Sequence, residues 1–590
     1  MHTSKDRFLL VLLTGTLLCV GSSDAQTQRG AEQSSPSSSP SRTSAAAVTT
    51  VNQAIDRVVA REREEIAAIW RFTPVMEVYV QDMKPDTGAD AGAVPAGDHY
   101  FLGSANLAKG AVEQRFVSSD KEHEGRLIGK SGFHKEDNFV KMVYADPSDF
   151  DRQHYEIEFV RREFLGDVRC LVFDVTPLPD TGEDRFVGRI WAEDQNFTIV
   201  RFNGVHSSRG GTKGREVHFD SWRLNLEGNT WLPGYIYAEQ SGGKERGLQF
   251  KSQTRFWGYK LASGHREEEL QEAVAADSNT ATDRNEQEPS DASPVQAQRD
   301  RQYQEEKKTI DDLRLMGLIA PRGELDRIME TVVNNLEVTN NLDIQPEIHC
   351  RTLLTTTLES FSIGHTIVLS RGLLDALPDE TSLAAMLAQE MATILVTGQA
   401  KADGKSGDDT GLAKLNQSGH FLLKYSDSEI QAASQKALEL MRNSPYKNKL
   451  DSPGLFLEQA GAEHKVLTAL ISPRVGDRAN LGSELAGPNA SQRTGKSGQT
   501  IAVRMGTRVK LDPWSNEVTL VKAKPVPLVS ARESDPFELF PFFPFLTRDQ
   551  GAGSVATKVG GLTSGRKPST ERPGPEGSTP GNAAQPTPPQ

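Results

Sequence analysis

Apolar and polar residues alternate through much of the chain between residues 74 and 260, and this pattern limits the possible folds more than any other feature. The alternating segments are VMEVYVQDM, YEIEFVRREF, VRCLVFDVTPL, RFVGRIWAEDQNFTIVRFNGV, GREVHFDSWRLNL, WLPGYIYAEQ and LQFKSQTRFWGYKL. A period of two residues is typical of strands, and the Gly, Asp, Asn and Pro residues between segments favour turns. Strands at this spacing with few helices predict one antiparallel sheet, strongly curved, with one buried face.

Helical spacing of apolar residues occurs on both sides of this strand-rich region. It is found in AIDRVVAREREEIAAIW before the strands, and in ELDRIMETVVNNLEVTNN, SLAAMLAQEMATILV and EIQAASQKALELMRN after them. Between these helices, TLESFSIGHTIVLS predicts a strand or hairpin near Gly364. The fold class is therefore α+β and multidomain: a curved antiparallel β-sheet domain, then a mainly helical domain, with a short β-rich C-terminal section.

Shifts in composition give the predicted boundaries. Ser and Pro dominate one segment near the start, acidic residues dominate a segment in the middle, and Gly, Pro, Ser and Thr dominate the end. The predicted parts are a signal peptide (1–25), a disordered segment (26–50), a helix plus β-domain (51–262), an acidic linker (263–308), a helical domain (309–480), a β-rich section with an aromatic arm (481–550) and a disordered tail (551–590).

The aromatic arm is the sequence DPFELFPFFPFLT, which includes residues 536–546. Its prolines exclude it from the centre of a sheet, because proline cannot donate a ladder hydrogen bond. The sequence predicts an irregular segment that packs over a groove, either of its own chain or of a partner.

The first 25 residues have the pattern of an export signal. Lys5 and Arg7 precede an apolar run from Phe8 to Val20, and Ala25 ends a stretch of small residues suited to cleavage. No later segment has the roughly 20 apolar residues that a spanning helix needs. We therefore predict an exported protein, periplasmic or secreted, that is not an integral membrane protein; a retained lipid or membrane anchor is the alternative.

Charge and cysteine content narrow the partners and the chemistry. The 590 residues carry a formal net charge of −13 at pH 7, which argues against nucleic acid, since phosphate binding needs a dense basic surface. Of the three cysteines, Cys170 and Cys350 remain after removal of the signal, and the sequence leaves open whether they pair.

A helix beginning near Asp379, a residue suited to capping, contains Gln389-Glu390-Met391-Ala392-Thr393. Zinc peptidases place two His ligands four residues apart on such a helix, with a general-base Glu after the first His. Here the Glu is Glu390, but Gln389 and Thr393 stand at the ligand positions. Amide and hydroxyl groups are poor zinc ligands beside imidazole, so the pattern predicts weak zinc binding or none.

The context of this helix resembles the HtpX-type and CAAX-prenyl-endopeptidase family of zinc metallopeptidases, the gluzincin family 48. The resemblance lies in Glu359-Ser360-Phe361-Ser362, His365 to Leu369, Ser370-Arg371-Gly372-Leu373-Leu374 and Leu383 to Thr393. It implies a zincin fold over about 170 residues, with Glu390 as a vestigial general base. Glu429-Ile430-Gln431-Ala432-Ala433 resembles the segment that supplies the family's third ligand, which makes Glu429 the surviving residue of ligand type.

Further departures from the family pattern favour a pseudoenzyme. Ser472 stands where a His-Pro element has its His, while Pro473 and Arg478 are retained. Zinc hydrolysis would require substitute ligands from His365, His420 or His464. Chance likeness, with Glu390 as an ordinary helix residue, remains a further alternative.

The strand-rich region has its own resemblance. Phe186 to Asp194, followed by Phe197 to Arg201, looks like the paired strands of LolA/LolB-like lipoprotein-carrier and lipoprotein-sorting proteins. That resemblance implies an apolar ligand such as a lipid or lipoprotein acyl chain. An ordinary antiparallel sheet with Trp191 in its core is the competing interpretation.

Together these patterns predict an envelope protein with a non-catalytic, peptidase-like domain that binds a peptide or protein client or acts as a chaperone-like scaffold. No cofactor is expected. The alternatives are an active zinc metalloendopeptidase with non-standard ligands, for which zinc would be the cofactor, and a lipid or lipoprotein carrier.

Overall fold

The structure is a computed structural model. It describes residues 50–85, 93–116, 136–182, 184–207, 217–226, 230–241, 247–261, 294–402, 414–415, 420–422, 425–486, 508–521 and 537–548. The predicted signal peptide with Ala25, most of the predicted acidic linker and the predicted C-terminal tail lie outside these residues.

Ten strands form one open antiparallel sheet, as the alternating pattern predicts. The strands follow one another in the spatial order β3-β2-β1-β10-β9-β8-β7-β6-β5-β4, so β3 and β4 are the edges and β1 lies inside. Their bounds are β1 Phe72–Pro85, β2 Ala93–Asn106, β3 Ala111–Arg115, β4 Tyr155–Leu165, β5 Val168–Pro177, β6 Phe186–Glu193, β7 Ile199–His206, β8 Val217–Asn225, β9 Trp231–Ser241 and β10 Leu248–Leu261.

Strand register defines the two faces of this sheet. Tyr79, Gln253, Tyr237 and Asp220 lie opposite one another on β1, β10, β9 and β8, so their side chains share one face, which we call the arm face. Neighbours in sequence such as Phe219 point to the other side, which we call the helix face. A helix, α1 (Val51–Ile69), and a short helix, α2 (Glu136–Lys141), precede β1 and β4 respectively.

Helix α1 is joined to the sheet through charged side chains. Thr50 and Gln53 form a capping box that starts the helix. Glu62 accepts two hydrogen bonds of 2.6 Å from Arg223 on β8, and Glu65 accepts one of 2.6 Å from the main-chain N of Trp231 on β9. Both acidic side chains are buried, so α1 is fixed to the sheet by specific polar contacts as well as by apolar packing.

The central strands are buried on both faces, where the sequence predicts one buried face. Every residue of β9 from Trp231 to Ala238 is buried. Polar residues of the arm face such as Gln81 and Lys251 are covered and hydrogen-bonded by residues 537–539. Polar residues at every second position of these strands therefore form a buried polar face and not a solvent-exposed one.

The helical region that follows contains a second, three-stranded sheet of order β11-β13-β12. Strands β12 and β13 pair antiparallel around Gly364, whose φ is +55°, which confirms the predicted hairpin. The elements are α3 Pro294–Leu315, α4 Glu324–Thr339, β11 His349–Leu353, β12 Ser360–Ile363, β13 Thr366–Ser370, α5 Arg371–Ala376, α6 Glu380–Ala402, β14 Lys414–Leu415, β15 Phe421–Leu422, α7 Asp427–Arg442, α8 Asp451–His464, α9 Pro473–Gly476, α10 Ala479–Ala486, β16 Val509–Leu511 and β17 Val518–Leu520.

The large sheet and the helical region meet along β1 and β2. The main-chain N of Thr356 donates to Glu77 of β1 at 2.6 Å. The main-chain N atoms of Ala469 and Leu470 donate to Asp98 of β2 at 2.9 and 2.7 Å. The two regions are therefore joined by hydrogen bonds to carboxylates, and Asp98 sets the position of the segment leading into α9.

In the part of the chain that the structure describes, none of the helices is long and apolar enough to cross a membrane. Cys170 and Cys350 are both buried and both carry free thiols, so they do not pair with each other. Burial raises the pKa of the Cys170 thiol to about 12, which makes it an unreactive core residue.

Candidate functional site

The helix that carries the peptidase-like pattern is α6. Asp379 accepts a hydrogen bond of 2.8 Å from the main-chain N of Ser382, which confirms it as the cap of this helix. The Thr393 hydroxyl donates to the main-chain O of Gln389 at 2.9 Å, so it is used inside the helix. The Gln389 side chain is buried, and its Oε1 has no hydrogen-bond donor among the described residues.

Glu390 is fully buried and is held by three donors. Its Oε1 accepts from Arg478 at 2.6 Å and from the Ser360 hydroxyl at 2.9 Å, and its Oε2 accepts from Arg474 at 2.8 Å. Burial alone raises the pKa of a carboxyl group, but the charges of Arg474 and Arg478 outweigh it and lower the pKa of Glu390. The carboxylate is thus ionised at neutral pH and enclosed by two guanidinium groups.

The Ser472-Pro473 segment positions these arginines. Ser472 caps α9 and accepts from the main-chain N of Val475, with Pro473 at the first position of the helix. The Ser472 main-chain N donates to Leu358 O at 3.1 Å, which places α9 beside the start of β12. Arg474 also donates to Ser360 O at 3.1 Å. It therefore binds both the first residue of the edge strand β12 and the Glu390 carboxylate.

This cluster contains more positive than negative charge. Arg474 and Arg478 share one carboxylate, and the Arg474 guanidinium also lies 4.7 Å from the ring centre of Tyr425. Burial lowers the pKa of Arg478 in spite of Glu390, and the like charge of Arg474 adds to this effect. A buried site with two guanidinium groups against the Glu repels a divalent cation instead of attracting one.

Glu429 lies in a different environment from Glu390. It is the third residue of α7, and its Oε2 accepts from the main-chain N and the hydroxyl of Ser426, at 2.8 and 2.7 Å. These bonds lower the pKa of Glu429 and explain the residue as part of a capping box. Among the residues that the structure describes, no three His, Cys, Asp or Glu side chains are grouped so that they could hold a metal ion.

The three histidines considered as substitute ligands have protein partners. The Nδ1 atom of His464 lies 2.8 Å from Ile471 O, and the main-chain N of His365 donates to Glu306. His420 is buried, with Nδ1 2.6 Å from Glu359 Oε2 and Nε2 3.0 Å from Thr468 O. Because both ring nitrogens face acceptors, the imidazolium form satisfies both contacts.

The His420–Glu359 pair is a feature that sequence reasoning missed, since 61 positions separate the two residues and no spacing rule links them. Burial opposes the charged form of the ring, but the Glu359 carboxylate and the Thr468 carbonyl raise the pKa of His420. A raised pKa in the folded state stabilises the protein below the ordinary histidine pKa, about 6.5, and this contribution disappears as pH rises through the raised value.

We therefore expect the free energy of unfolding to contain a component that falls between neutral and alkaline pH and that His420→Gln removes. Its steepest slope is about 1.4 kcal/mol per pH unit for a single proton. Urea denaturation from pH 6 to pH 9 measures it, and His218→Gln at an exposed position is the control that should keep the parent profile. Parallel profiles for His420→Gln and the parent chain would contradict the assignment.

A second candidate site lies on the arm face, where residues 537–548 cross the large sheet. Gln81 on β1 binds the main chain of this segment twice, donating to Phe537 O at 2.6 Å and accepting from Leu539 N at 2.9 Å. Lys251 on β10 binds Glu538 Oε1 at 2.6 Å and Leu539 O at 3.2 Å. We call residues 537–548 the arm.

Further along, the arm packs on aromatic residues of the sheet. Phe542 meets the ring of Tyr235 edge-on at 5.6 Å, and Phe543 lies 6.2 Å from the ring of Trp222. Leu546 is buried in a cluster with these side chains. Its main-chain O accepts from Asp167 N at 2.9 Å, at the turn between β4 and β5.

An arginine stack forms the floor beneath the arm. The Arg201 guanidinium lies 4.2 Å from the ring centre of Trp191 and 4.4 Å from that of Trp222, and Asp220 holds it through two hydrogen bonds of 2.8 and 2.9 Å. Trp191 is therefore a core residue of the sheet that also contributes to this surface. The sequence predicted an irregular segment over a groove, and the groove lies on the chain's own sheet.

Comparison with known proteins gives limited matches. No protein-family model matches the chain, and no curated protein sequence matches it. Among solved structures, a domain assigned as an outer-membrane lipoprotein-sorting protein from Vibrio parahaemolyticus matches 37% of this chain and 97% of its own, with 11% identity and a TM-score of 0.20. A DUF1329 family protein from Desulfovibrio piger matches 38% of this chain and 98% of its own, with 11% identity and a TM-score of 0.21.

The first of these structures carries the name of the protein class that the strand pattern around Trp191 resembles. The metallopeptidase resemblance has no counterpart among these matches. At TM-scores near 0.2 the agreement carries no information about ligand or activity.

Proposed function

We propose that this chain is an exported, non-catalytic binding protein for extended protein segments, in which an ion cluster stands where a related peptidase would hold its metal. The observation that carries the proposal is the enclosure of Glu390 by Arg474 and Arg478. The chemistry of a general base needs a pKa near the working pH and contact with the proton to be removed. Glu390 has a lowered pKa and no exposed surface, so it meets neither condition.

A binding role is supported by how the arm is held. Main-chain atoms of an extended segment are bound by side chains of the sheet, as in peptide recognition, and aromatic side chains fill the space between. Export and a location in the envelope remain part of the proposal, because they depend on the pattern of residues 1–25.

The proposed function predicts that the purified chain contains no stoichiometric zinc and that Glu429→Ala leaves its metal content unchanged. Gln389 and Thr393 lack imidazole, and Glu429 is bound within its own helix cap. Elemental mass spectrometry of both proteins measures this, alongside hydrolysis of a casein substrate with and without a chelator. One zinc per chain that is lost in Glu429→Ala, together with chelator-sensitive hydrolysis, would instead support an active metalloendopeptidase.

Binding itself is tested with a protein that exposes extended segments. We expect the chain to slow the aggregation of a reduced, unfolded model protein at roughly equimolar concentration and to leave that protein uncut. Serum albumin at the same concentration is the control. Equal aggregation with albumin and with this chain would contradict a chaperone-like binding role.

A lipid or lipoprotein carrier is the second candidate, and exposed aromatic side chains favour it. Phe164 on the edge strand β4 is 66% exposed, and Phe543 and Phe545 on the arm are 61% and 66% exposed. Apolar surface of this kind often marks an interaction site. Solvent extraction of the purified chain followed by lipid mass spectrometry distinguishes the candidates, since a carrier retains acyl lipid in a fixed ratio and a protein-segment binder does not.

A further inference from the structure

We infer that the arm face recognises an extended protein segment with an acidic residue, then an aliphatic residue, then aromatic residues alternating with prolines, and that the arm is a resident, exchangeable copy of this ligand. The inference rests on the proposed function and names the surface and the chemistry of the partner. It commits to a segment of another protein as the exchanging partner.

The capture of the arm main chain is the first argument. The arm has no strand partner; the side-chain amide of Gln81 supplies one donor and one acceptor, to Phe537 O and Leu539 N. This is the pair of bonds that a neighbouring strand would make, and it is independent of side-chain identity. At the far end, Asp167 N adds a single main-chain hydrogen bond to Leu546 O.

Charge fixes the direction in which a segment lies. Lys251 pairs with Glu538 near the start of the arm, and Glu193 pairs with Arg548 near its end. The Lys251 ammonium also lies 4.9 Å from the ring centre of Phe540, a cation–π contact that adds a preference for an aromatic residue two positions after the acid. A segment laid in the reverse direction would bring like charges together at both ends.

The prolines and the alternation of the arm suit a bound, extended ligand. Pro544 and Leu546 are buried, whereas Phe543 and Phe545 are exposed, so within residues 543–546 the side chains point alternately to solvent and to the sheet. Pro541 and Pro544 favour an extended backbone before binding, which reduces the entropy lost when the segment docks.

Exchange of the arm for a partner segment is supported by two hydrogen-bond donors of the sheet that the arm does not satisfy. The indole N–H groups of Trp222 and Trp231 are buried and have no acceptor among the described residues. Both belong to the apolar cluster that contains Leu546 and contacts Phe542. A buried donor without an acceptor is costly. A partner segment that offers carbonyl or carboxylate oxygens to these indoles therefore gains hydrogen bonds that the arm does not make.

The test uses the full chain and a fluorescent synthetic peptide with the sequence of residues 536–548. Leu546→Asp places a carboxylate in the apolar cluster and should release the arm, whereas Thr547→Asp at the exposed neighbouring position is the matched control. We expect the peptide to bind Leu546→Asp at a one-to-one ratio and at least about tenfold more tightly than it binds the parent chain or Thr547→Asp. A peptide with Glu538 changed to Lys should bind at least about tenfold more weakly, because it faces Lys251.

Absence of peptide binding to a folded Leu546→Asp chain, or equal binding of the Glu538→Lys peptide, would overturn the inference. Near-ultraviolet circular dichroism shows whether the variant is folded. If it is not, a specific protease sequence inserted between residues 521 and 537 of the parent chain allows the arm to be cut while the sheet is intact. Exchange of the cut arm for labelled peptide then supports the inference, and retention against a large excess of peptide shows that the arm is a fixed part of the sheet.

Two other outcomes separate the alternatives. A stable dimer of the parent chain that the Leu546→Asp variant does not form would assign the surface to the arm of a second copy and overturn the choice of a foreign segment. Failure of the peptide experiment leaves the zinc and aggregation measurements untouched, so the proposed function and the position of its binding surface fail separately.

Discussion

Replacement of Glu390 by Gln is expected to lower the free energy of unfolding by about 3–5 kcal/mol, the usual cost of removing one partner from a buried ion pair. The substitution keeps the size of the side chain but leaves Arg474 and Arg478 without their anion in a site where Glu390 has no exposure to water. Urea denaturation followed by circular dichroism measures the change. Glu439→Gln, which removes an exposed partner of Lys436, is the control and should change stability by about 0.5 kcal/mol or less.

The pH dependence of this contribution has a definite sign. The folded-state pKa of Glu390 is lowered, so the stabilisation is present above the ordinary Glu pKa and is lost as pH falls through the lowered value. The parent chain should therefore keep this contribution in moderately acidic buffers, and Glu390→Gln should be destabilised across that range. A Glu390→Gln chain as stable as the parent would mean that the carboxylate is not the anion of this cluster.

This prediction changes how a standard test for a peptidase has to be interpreted. Loss of function in Glu390→Gln would follow from unfolding as readily as from loss of a catalytic base. The triple variant Glu390→Leu, Arg474→Met, Arg478→Met separates the two, because apolar replacement of a complete buried ion cluster is often neutral or stabilising. Binding that survives in the triple variant would support the proposed non-catalytic role.

Replacement of Glu62 by Gln is expected to cost a similar amount, about 3–5 kcal/mol, through a different cluster. Glu62 on α1 and Arg223 on β8 are both buried, and two hydrogen bonds of 2.6 Å join them. The neutral amide removes the carboxylate that is hydrogen-bonded to the buried Arg223 guanidinium, and Glu65 remains as the more remote acidic group. Because the helix loses its contact with the sheet, amide hydrogen exchange should become faster in residues 51–69 than in the strands of the sheet.

The same helix offers a matched control two residues away. Glu64 pairs with Arg61 at 3.0 Å, but its side chain is 68% exposed. Because exposed pairs contribute about 0–1 kcal/mol, Glu64→Gln should leave stability nearly unchanged. Equal effects of Glu62→Gln and Glu64→Gln in urea denaturation would show that α1 is held by apolar packing and not by the buried pair.

The sequence predicted the large sheet well, because alternation is a local signal that every strand repeats. It predicted one buried face, whereas the central strands are buried on both, and the difference has a physical reason. Gln81, Lys251 and Arg201 have the polar side chains expected of a solvated face, yet each is covered and hydrogen-bonded by a partner. The partners of Gln81 and Lys251 come from the arm, more than 280 positions away, and alternation carries no information about what covers a face.

In the candidate site, too, local features could be predicted from the sequence and long-range contacts could not. The helix that contains Gln389-Glu390 and its cap at Asp379 follow from short-range patterns, whereas Pro473 and Arg478 were singled out only by the metallopeptidase resemblance. That Arg474 and Arg478 turn toward Glu390 depends on contacts 84 and 88 positions apart. The resemblance pointed to Glu429 as a residue of ligand type, but Ser426 donates two hydrogen bonds to its carboxylate, which belongs to the cap of α7.

The bond between Gln81 and Leu539 joins residues 458 positions apart, so the arm can reach the sheet only long after β1 has been made. Contacts across such long loops form late in folding, because closing the loop costs entropy before any contact rewards it. During synthesis the strands can pair while Trp222 and Tyr235 still lack their cover. The order of translation thus creates an interval in which this aromatic surface is open to any nearby extended chain, and the docking of residues 537–548 ends that interval.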